Sequence, residues 1–284
     1  MLFVNIGKAR RKSGLSHFNR PHLSSMRKAI LITGAGSGIG RASAVRFASE
    51  GFDLILVGRR LAPLEETKGL MVGTGQHVIL ALDVSDRVMF HKRLAEAMAV
   101  ESNRELIGVF ANAGIGGGNG YAVEEGEDRW GEIMMANVTG VYVTLQTAYP
   151  YLKAAQQAVT HAVVTSSVLA RFGVPGQSAY VTSKTAVLGL VRSLAIEWGG
   201  DGILVNAICP GWVETAMAQE SIQRMADGQG ISYEDCHSQQ CALLPTGRMS
   251  QPSEVADFVS WLMSPEQKGF TGQGLDLNNG SWMS

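Results

Sequence analysis

The apolar residues of this chain occur in short continuous runs, most of them closed by a glycine-rich or polar turn. Seven runs predict β-strands, at residues 28–33, 53–58, 77–84, 105–114, 161–167, 202–211 and 272–280. Apolar residues at helical spacing predict intervening helices, among them 41–52, 86–100, 137–155, 179–198 and 253–263. Because the strand runs are apolar throughout, both of their faces are expected to lie under helices. The pattern predicts an α/β fold, a doubly wound seven-stranded parallel sheet with helices on both faces.

The charged residues divide the chain at about Met26. The 284 residues hold 24 Lys and Arg against 25 Asp and Glu, yet the first acidic residue is Glu50. Residues 1–25 are basic and lack the apolar core of a secretory signal, so a nucleic-acid arm, an organelle transit peptide and a disordered extension are the alternatives. We expect a disordered extension at 1–25 and a single domain at 26–284, in which residues 217–245 form an insertion after the sixth strand.

Composition narrows the class of protein further. Hydrophobic residues make up 45% and charged residues 17%, which suits a folded core rather than a disordered chain. No apolar run reaches the length of a membrane span, and the three cysteines form no CxxC pair. We therefore expect a reduced cytoplasmic protein that binds neither membrane nor nucleic acid, and the histidine spacing predicts no metal site.

The sequence TGAGSGIG, Thr33 to Gly40, directly follows the first predicted strand and opens the first helix. Glycines there let the backbone approach a pyrophosphate, whose charge suits the N-terminal end of a helix. A glycine-rich turn alone is weak evidence, but strand, turn and helix occur here in the required order. The glycines at 34, 36, 38 and 40 depart from the GxGxxG spacing of most dinucleotide dehydrogenases.

That spacing, TGxxxGxG, together with YxxxK at Tyr180 and Lys184, resembles the short-chain dehydrogenase/reductase superfamily over nearly the whole chain from Met26. The resemblance implies a Rossmann-like fold and an NAD(P)-dependent oxidoreductase acting on CH–OH groups. ANAG at 111–114 is similar to the family's NNAG, with Ala111 replacing the first asparagine. The cofactor-binding residues that it implies are Gly34, Ser37, Gly38, Ile39, Gly40, Arg59, Asp83, Val84, Asn112, Ala113, Gly114, Tyr180, Lys184, Pro210, Gly211, Val213 and Thr215.

The catalytic residues that the resemblance implies are Asn137, in MANVTG, Ser167, which lies 13 residues before the tyrosine, Tyr180 and Lys184. Tyr180 and Lys184 are four residues apart, so a helix places them on one face, and the ammonium is expected to lower the pKa of the phenol. Such a phenol can act as a general acid and base. Ser167, at the usual spacing before the tyrosine, would bind the reacting oxygen, whereas Ser166 is taken as its structural neighbour. The resemblance gives Asn137 a water-mediated proton relay to Lys184.

The end of the second strand predicts which nicotinamide cofactor binds. An acidic residue there would bind the ribose hydroxyls of NAD, but Gly58 takes that place and is followed by Arg59 and Arg60. Arginines pair with a 2′-phosphate, so NADP(H) is preferred, with NAD(H) possible. The alternative is that both arginines are solvated surface charges.

The substrate is the least defined feature. CPGWVET at 209–215 resembles the family's PG motif, and the segment after it carries apolar residues that suggest a lid: Met217, Ile222, Met225, Tyr233 and Leu243, with Trp212 beside it. The C-terminal part resembles 3-oxoacyl-thioester and polyketide ketoreductases, while GISYED is similar to 3-hydroxybutyrate dehydrogenases that use NAD. We expect a small-molecule ketone or secondary alcohol as substrate and, from the resemblance, a homotetramer or homodimer. A non-catalytic NADP(H)-sensing regulator is the alternative from another class.

Overall fold

A computed structural model describes residues 26–100, 103–118 and 128–283. The predicted extension at 1–25 lies outside the described residues. No helix in these three ranges is both long and apolar enough to cross a membrane.

Strands and helices alternate along the described chain, as the pattern of apolar runs predicts. The strands are β1 Arg27–Thr33, β2 Asp53–Gly58, β3 Val78–Ala81, β4 Arg104–Ala111, β5 Thr160–Thr165, β6 Ile203–Pro210 and β7 Gly274–Leu277. The helices are α1 Gly38–Ser49, α2 Leu61–Leu70, α3 Arg87–Val100, α4 Trp130–Met134, α5 Gly140–Ala154, α6 Ser178–Trp198, α7 Ala216–Gln229, α8 Tyr233–Ala242 and α9 Pro252–Leu262. A π-helical turn, Met135–Thr139, joins α4 to α5.

All seven strands pair in parallel, in the order β3-β2-β1-β4-β5-β6-β7. The order reverses between β1 and β4, because the chain returns from the β3 edge to the other side of β1. In a doubly wound sheet, ligands bind in the crevice beyond the carboxyl ends of the strands at such a reversal. The predicted fold class is therefore confirmed, and it places the candidate site at the ends of β1 and β4.

The five inner strands β1, β2, β4, β5 and β6 bury both of their faces, which explains why their sequences are apolar, whereas the edge strands β3 and β7 are only partly buried. Leu31 of β1 packs in the core layer under α3, α5 and α6, whereas its neighbours Ile30 and Ile32 pack in the layer under α1 and α9. None of the three is more than 1% exposed. Truncating such a side chain to Ala removes roughly 2–5 kcal/mol of stability.

The segment 217–245, predicted as an insertion after the sixth strand, consists mostly of two helices, α7 and α8, that follow β6. They enclose a small core of their own, formed by Ile222, Ala226, Cys236, Leu244 and Met249. Ala218, Ile222 and Ala226 stand four residues apart on the buried face of α7, so a helical signal was present in the sequence. It is weak because two of these three side chains are only methyl groups.

Buried charges lie at the amino end of the sheet, opposite the candidate site. The Asp53 carboxylate accepts hydrogen bonds from the guanidinium groups of Arg27 and Arg104 and from the backbone N–H of Gln76. Burial alone would raise the pKa of Asp53, but these donors outweigh it and lower that pKa. The cluster fixes the starts of β1, β2 and β4 and is structural.

Candidate active site

A cleft of about 160 Å³ lies at the carboxyl ends of the first four strands, where the strand order reverses. Its lining residues come from the glycine turn, the ends of β2 and β3, the first turn of α2, the loop after β4 and the π-helical turn: Gly34, Gly36, Ser37, Gly58, Arg59, Arg60, Pro63, Leu64, Leu82, Asp83, Val84, Ala113, Gly114, Ile115 and Ala136. Seven of the residues predicted to bind cofactor are among them: Gly34, Ser37, Arg59, Asp83, Val84, Ala113 and Gly114.

The glycine turn requires glycine at two places for steric reasons. Gly34 has a φ of +68°, and a Cβ on it would lie 2.9 Å from the Cα of Ala113. A Cβ on Gly40 would overlap the backbone carbonyl of Gly34. Ser37 precedes α1 without its side chain capping the helix, so the first N–H groups of α1 remain open toward the cleft. Ile39 differs from its neighbours, because its side chain packs into the core.

Asn112 joins the ends of three adjacent strands. Its side chain donates a hydrogen bond to the carbonyl oxygen of Thr33 at 3.2 Å and accepts one from the Thr165 hydroxyl at 3.0 Å. The Thr33 hydroxyl in turn accepts the backbone N–H groups of Asn112 and Ala113, each at 3.0 Å. Sequence reasoning named Asn112 but missed Thr33 and Thr165, although both end strands that face the cleft.

The edge of the cleft at β2 is positively charged. Arg59 and Arg60 are exposed, and neither makes a hydrogen bond or an ion pair within the described part of the chain. Asp83 accepts hydrogen bonds from the hydroxyl and backbone N–H of Ser85. These bonds and the nearby Arg59 charge lower the pKa of Asp83, the Ser85 hydroxyl contributing most. The two arginines are thus available for an anion at this edge.

The segment from Pro210 to Thr215 closes the opposite side of the site. The N–H of Gly211 donates to the carbonyl of Leu277 at 3.0 Å, and Val213 pairs with Ser250. Thr215 caps α7 by accepting the N–H of Ala218 at 3.3 Å. A Cβ on Gly38 would lie only 3.1 Å from the Thr215 methyl group. The PG segment therefore packs directly against the glycine turn, and the residues at this junction fit a bound dinucleotide.

Lys184 is buried behind the cleft, with only 4% of the residue exposed. Its Nζ donates a hydrogen bond to the carbonyl oxygen of Thr165 at 2.9 Å. A Cβ on Gly114 would lie 3.4 Å from that Nζ, so the glycine allows the ammonium to approach the loop after β4. Burial lowers the pKa of Lys184 to about 8.

The structure contradicts the expectation that Lys184 lowers the pKa of Tyr180. Burial raises the pKa of the phenol, and a hydrogen bond with the Ser167 hydroxyl only partly offsets that rise. The Lys184 ammonium lies 5.6 Å from the centre of the Tyr180 ring and donates to Thr165. Helical spacing placed both side chains on one face, as predicted, but it could not show that a backbone carbonyl holds the ammonium.

Ser166 and Ser167 have separate partners. The Ser166 hydroxyl donates a 2.7 Å hydrogen bond to the backbone carbonyl of Lys184 and so fastens β5 to α6. The Ser167 hydroxyl accepts the N–H of Leu169 at 3.1 Å and interacts with Tyr180. Of the two, Ser167 is therefore the one that lies beside the phenol, as the motif spacing predicts.

Asn137 is fully buried in the π-helical turn between α4 and α5. Its amide nitrogen donates to the carbonyl of Ile115 and to the Ser183 hydroxyl, each at 3.0 Å, and its oxygen accepts the Ile115 N–H at 2.8 Å. A water bound by Asn137 would therefore use its main-chain carbonyl or the second lone pair of Oδ1. π-Helical turns occur frequently at functional sites.

The predicted lid residues divide between core and surface. Ile222 is fully buried in the small core of α7 and α8, whereas Leu243 is 73% exposed and does not cover the site. Met217 is placed as a lid residue would be: a Cβ on Gly116, in the loop after β4, would lie 3.2 Å from its sulfur. No cluster of His, Cys, Asp and Glu suited to a metal ion occurs among the residues that the structure describes.

Comparison with known proteins agrees with this geometry. A family model described as enoyl-(acyl carrier protein) reductase, of the short-chain alcohol dehydrogenase type, matches residues 34–281. The 3-oxoacyl-[acyl-carrier-protein] reductase FabG of Thermotoga maritima is 33% identical over 257 residues, covering 89% of this chain and 97% of its own. The (3R)-3-hydroxyacyl-CoA dehydrogenase of Homo sapiens is 30% identical, covering 89% and 95%.

Among solved structures, a variant of actinorhodin polyketide ketoreductase, with NADPH, superposes with a TM-score of 0.83. It is 30% identical and covers 91% of this chain and 98% of that protein. Sequence and backbone therefore agree over almost the whole length of both partners.

Proposed function

This chain belongs to the short-chain dehydrogenase/reductase superfamily of NAD(P)-dependent oxidoreductases, and we propose that it interconverts a ketone and a secondary alcohol with Tyr180 as the general acid and base. The observation that carries the proposal is the convergence of Tyr180, Ser167 and Lys184 beside the cleft. Each has an alternative structural explanation alone, but their arrangement at the strand-order reversal supports one reaction.

In the direction of reduction, the Tyr180 hydroxyl would donate its proton to the carbonyl oxygen of the substrate. A raised pKa keeps the phenol protonated, which is the form needed for donation. Ser167 would donate a hydrogen bond to the same oxygen and stabilise the charge that develops there. Lys184 would hold the cofactor ribose and return a proton to Tyr180, with Asn137 linking it to solvent. The nicotinamide, when bound, supplies or accepts the hydride.

The preferred cofactor in this proposal is NADP(H), with NAD(H) as the alternative. Arg59 and Arg60 are free to pair with a 2′-phosphate, and no carboxylate ends β2 to bind an unmodified ribose. Gly34, Gly38 and Gly40 let the turn pack closely at the start of α1, where the uncapped N–H groups of the helix would bind the pyrophosphate.

The proposed substrate is a 3-oxoacyl-type ketone or the matching 3-hydroxy compound. Two relatives are named for a 3-oxoacyl-[acyl-carrier-protein] and a 3-hydroxyacyl-CoA, and a structural neighbour is a polyketide ketoreductase. The partly exposed Met217 suits an adaptable apolar contact with such a chain. We further propose a cytoplasmic protein, because its three cysteines form no CxxC pair, and a homotetramer or homodimer, as the family resemblance implies.

The direct test follows oxidation of NADPH and NADH by near-ultraviolet absorbance against acetoacetyl thioester, a diketone and an aryl ketone, and tests the reverse reaction on the matching alcohols. Turnover of the thioester with NADPH, absent from Tyr180→Phe, would support the proposal in full. Turnover with NADH alone would favour the hydroxybutyrate-like alternative. Cofactor binding without turnover on any substrate would overturn the enzymatic proposal in favour of a sensor.

A further inference from the structure

A cysteine, a histidine and a glutamate meet where α8 packs against the PG segment. The Nε2 atom of His237 lies 2.8 Å from a carboxylate oxygen of Glu214. The sulfur of Cys241, one turn further along α8, lies 3.8 Å from Nδ1 and 4.0 Å from Nε2 of the same ring. None of these three residues belongs to the catalytic or cofactor-binding set described above.

The arrangement orients the imidazole for proton transfer. Because Glu214 is placed to accept the Nε2–H, the lone pair of Nδ1 is left as the acceptor on the side nearer to the thiol. The sulfur is almost equidistant from the two nitrogens, so it lies against the flank of the ring rather than in line with Nδ1. Contacts between a general base and the group that it deprotonates are often long or poorly aligned before a reactant binds.

The three cysteines of the chain differ in accessibility. Cys209 and Cys236 are fully buried, whereas Cys241 is partly exposed. Burial raises the pKa of the Cys209 thiol, which further disfavours its thiolate. Cys241 is thus the cysteine that combines access to solvent with an adjacent base held by a carboxylate.

We propose that Cys241 is a peroxide-reactive thiol, activated by His237 and Glu214, on the helix that adjoins the PG segment. His237 takes the thiol proton, and the thiolate sulfur attacks one oxygen of a hydroperoxide. The S–O bond forms as the O–O bond breaks, so the sulfur is oxidised to a sulfenic acid and the peroxide is reduced. The leaving oxygen takes the proton from the imidazolium, and water or an alcohol departs. A peroxide fits this arrangement because its leaving group needs that proton.

Oxidation of Cys241 is expected to affect the binding of cofactor or substrate, because Glu214 lies within the PG segment. Glu214 stands between Val213, which pairs with Ser250, and Thr215, whose methyl group lies against the glycine turn. Tyr233 stacks on the His237 ring, with ring centres 5.9 Å apart. Oxidation therefore strains the contact between His237 and Glu214 and is expected to raise the KM for cofactor or substrate.

The first experiment measures the rate of carboxamidomethylation by iodoacetamide at each cysteine by mass spectrometry, in the native full chain and in denaturant. An activated Cys241 reacts faster in the native than in the denatured chain, whereas a merely accessible thiol does not. His237→Asn and Glu214→Gln are expected to slow it by about tenfold or more, while His91→Asn, an exposed histidine of α3, leaves it unchanged.

If His237→Asn only loosened α8, the rate of carboxamidomethylation would rise rather than fall, because both Cys236 and Cys241 would become more accessible. The second experiment treats the protein with hydrogen peroxide and traps sulfenic acid with dimedone. We expect adduct at Cys241 that is absent from Cys241→Ser and reduced in Glu214→Gln. Equal rates at Cys241 in wild type and both variants, or equal native and denatured rates, would overturn the proposal.

Discussion

Lys184 donates a hydrogen bond from its buried ammonium to the backbone carbonyl oxygen of Thr165, at 2.9 Å. Thr165 ends β5, and its hydroxyl donates in turn to Asn112 at the end of β4. The proposed catalytic lysine is thus fixed to the ends of two central strands before any ligand binds. Its ammonium has been taken out of water with a neutral partner, which explains why burial lowers its pKa to about 8.

Lys184→Met is expected to reduce turnover without reducing the stability of the fold at neutral pH. The folded-state pKa of about 8 lies below the unfolded value of about 10.5, so the unfolded chain binds more protons between these values and stability rises with pH through that window. At neutral pH the buried charge costs roughly 3 kcal/mol. We expect the variant to be at least as stable as wild type at neutral pH, with turnover reduced by about 100-fold or more. Thermal melts at pH 7 and pH 10 test this, and a variant much less stable at pH 7 would contradict it.

Tyr180→Phe is expected to leave cofactor binding intact and to reduce turnover by about 100-fold or more. The phenol hydroxyl is the proton donor in the proposed reaction, whereas the ring itself packs beside Lys184 and is retained. Cofactor affinity from fluorescence quenching and turnover are measured together. Tyr142→Phe, at an exposed tyrosine of α5, is the matched control. Unchanged turnover in Tyr180→Phe would exclude the acid–base role.

The fold was largely predictable from the sequence, whereas the protonation and the hydrogen bonding of the candidate site were not. Ile30, Leu31 and Ile32 form a continuous apolar run because both faces of β1 are buried. Runs of this kind, together with the family resemblance, predicted seven strands in one parallel sheet, as the structure has them. The pKa of Tyr180 was predicted in the wrong direction, because helical spacing shows which groups are neighbours but not how much water surrounds them. Thr33 and Thr165 were missed because their roles arise only where strands distant in sequence end side by side.

Arg59→Ala is expected to shift the cofactor preference from NADPH toward NADH by about 10- to 100-fold in kcat/KM, since hydrogen bonds to charged groups contribute about 1.5–3 kcal/mol. Arg59 is exposed at the edge of the cleft and has no competing ion pair in the described ranges. Kinetics with both cofactors give the ratio directly. Arg192→Ala, an exposed arginine of α6, should leave it unchanged. If Arg59→Ala also leaves the ratio unchanged, NADP(H) recognition by this arginine is wrong.

His161, buried near the start of β5, is expected to limit stability in acid. Burial lowers its pKa to about 4, and only a contact with the Ser264 backbone opposes that shift. The unfolded value is about 6.5, so the unfolded chain binds the extra proton between these values. Stability is therefore lost as pH falls from about 6.5 to about 4. His161→Val, which suits a buried strand, should lower the acid-unfolding midpoint followed by circular dichroism. An unchanged midpoint would mean that other groups dominate acid unfolding.

Gly40→Ala is expected to damage both the fold and cofactor binding, because its Cβ would overlap the carbonyl of Gly34. Either the turn opens or α1 shifts, and both displace the N–H groups that are proposed to face the pyrophosphate. Gly189→Ala is the matched control: it lies in α6, is exposed, and its Cβ would meet nothing within 4 Å. Helix propensity alone should make that variant more stable by about 0.5–1 kcal/mol. Urea unfolding and cofactor titration of both variants are compared. Both variants add the same methyl group, so they differ only in where it is placed. A loss of cofactor binding in Gly40→Ala alone would therefore result from the close approach within the turn. Equal cofactor binding in the two variants would refute that explanation.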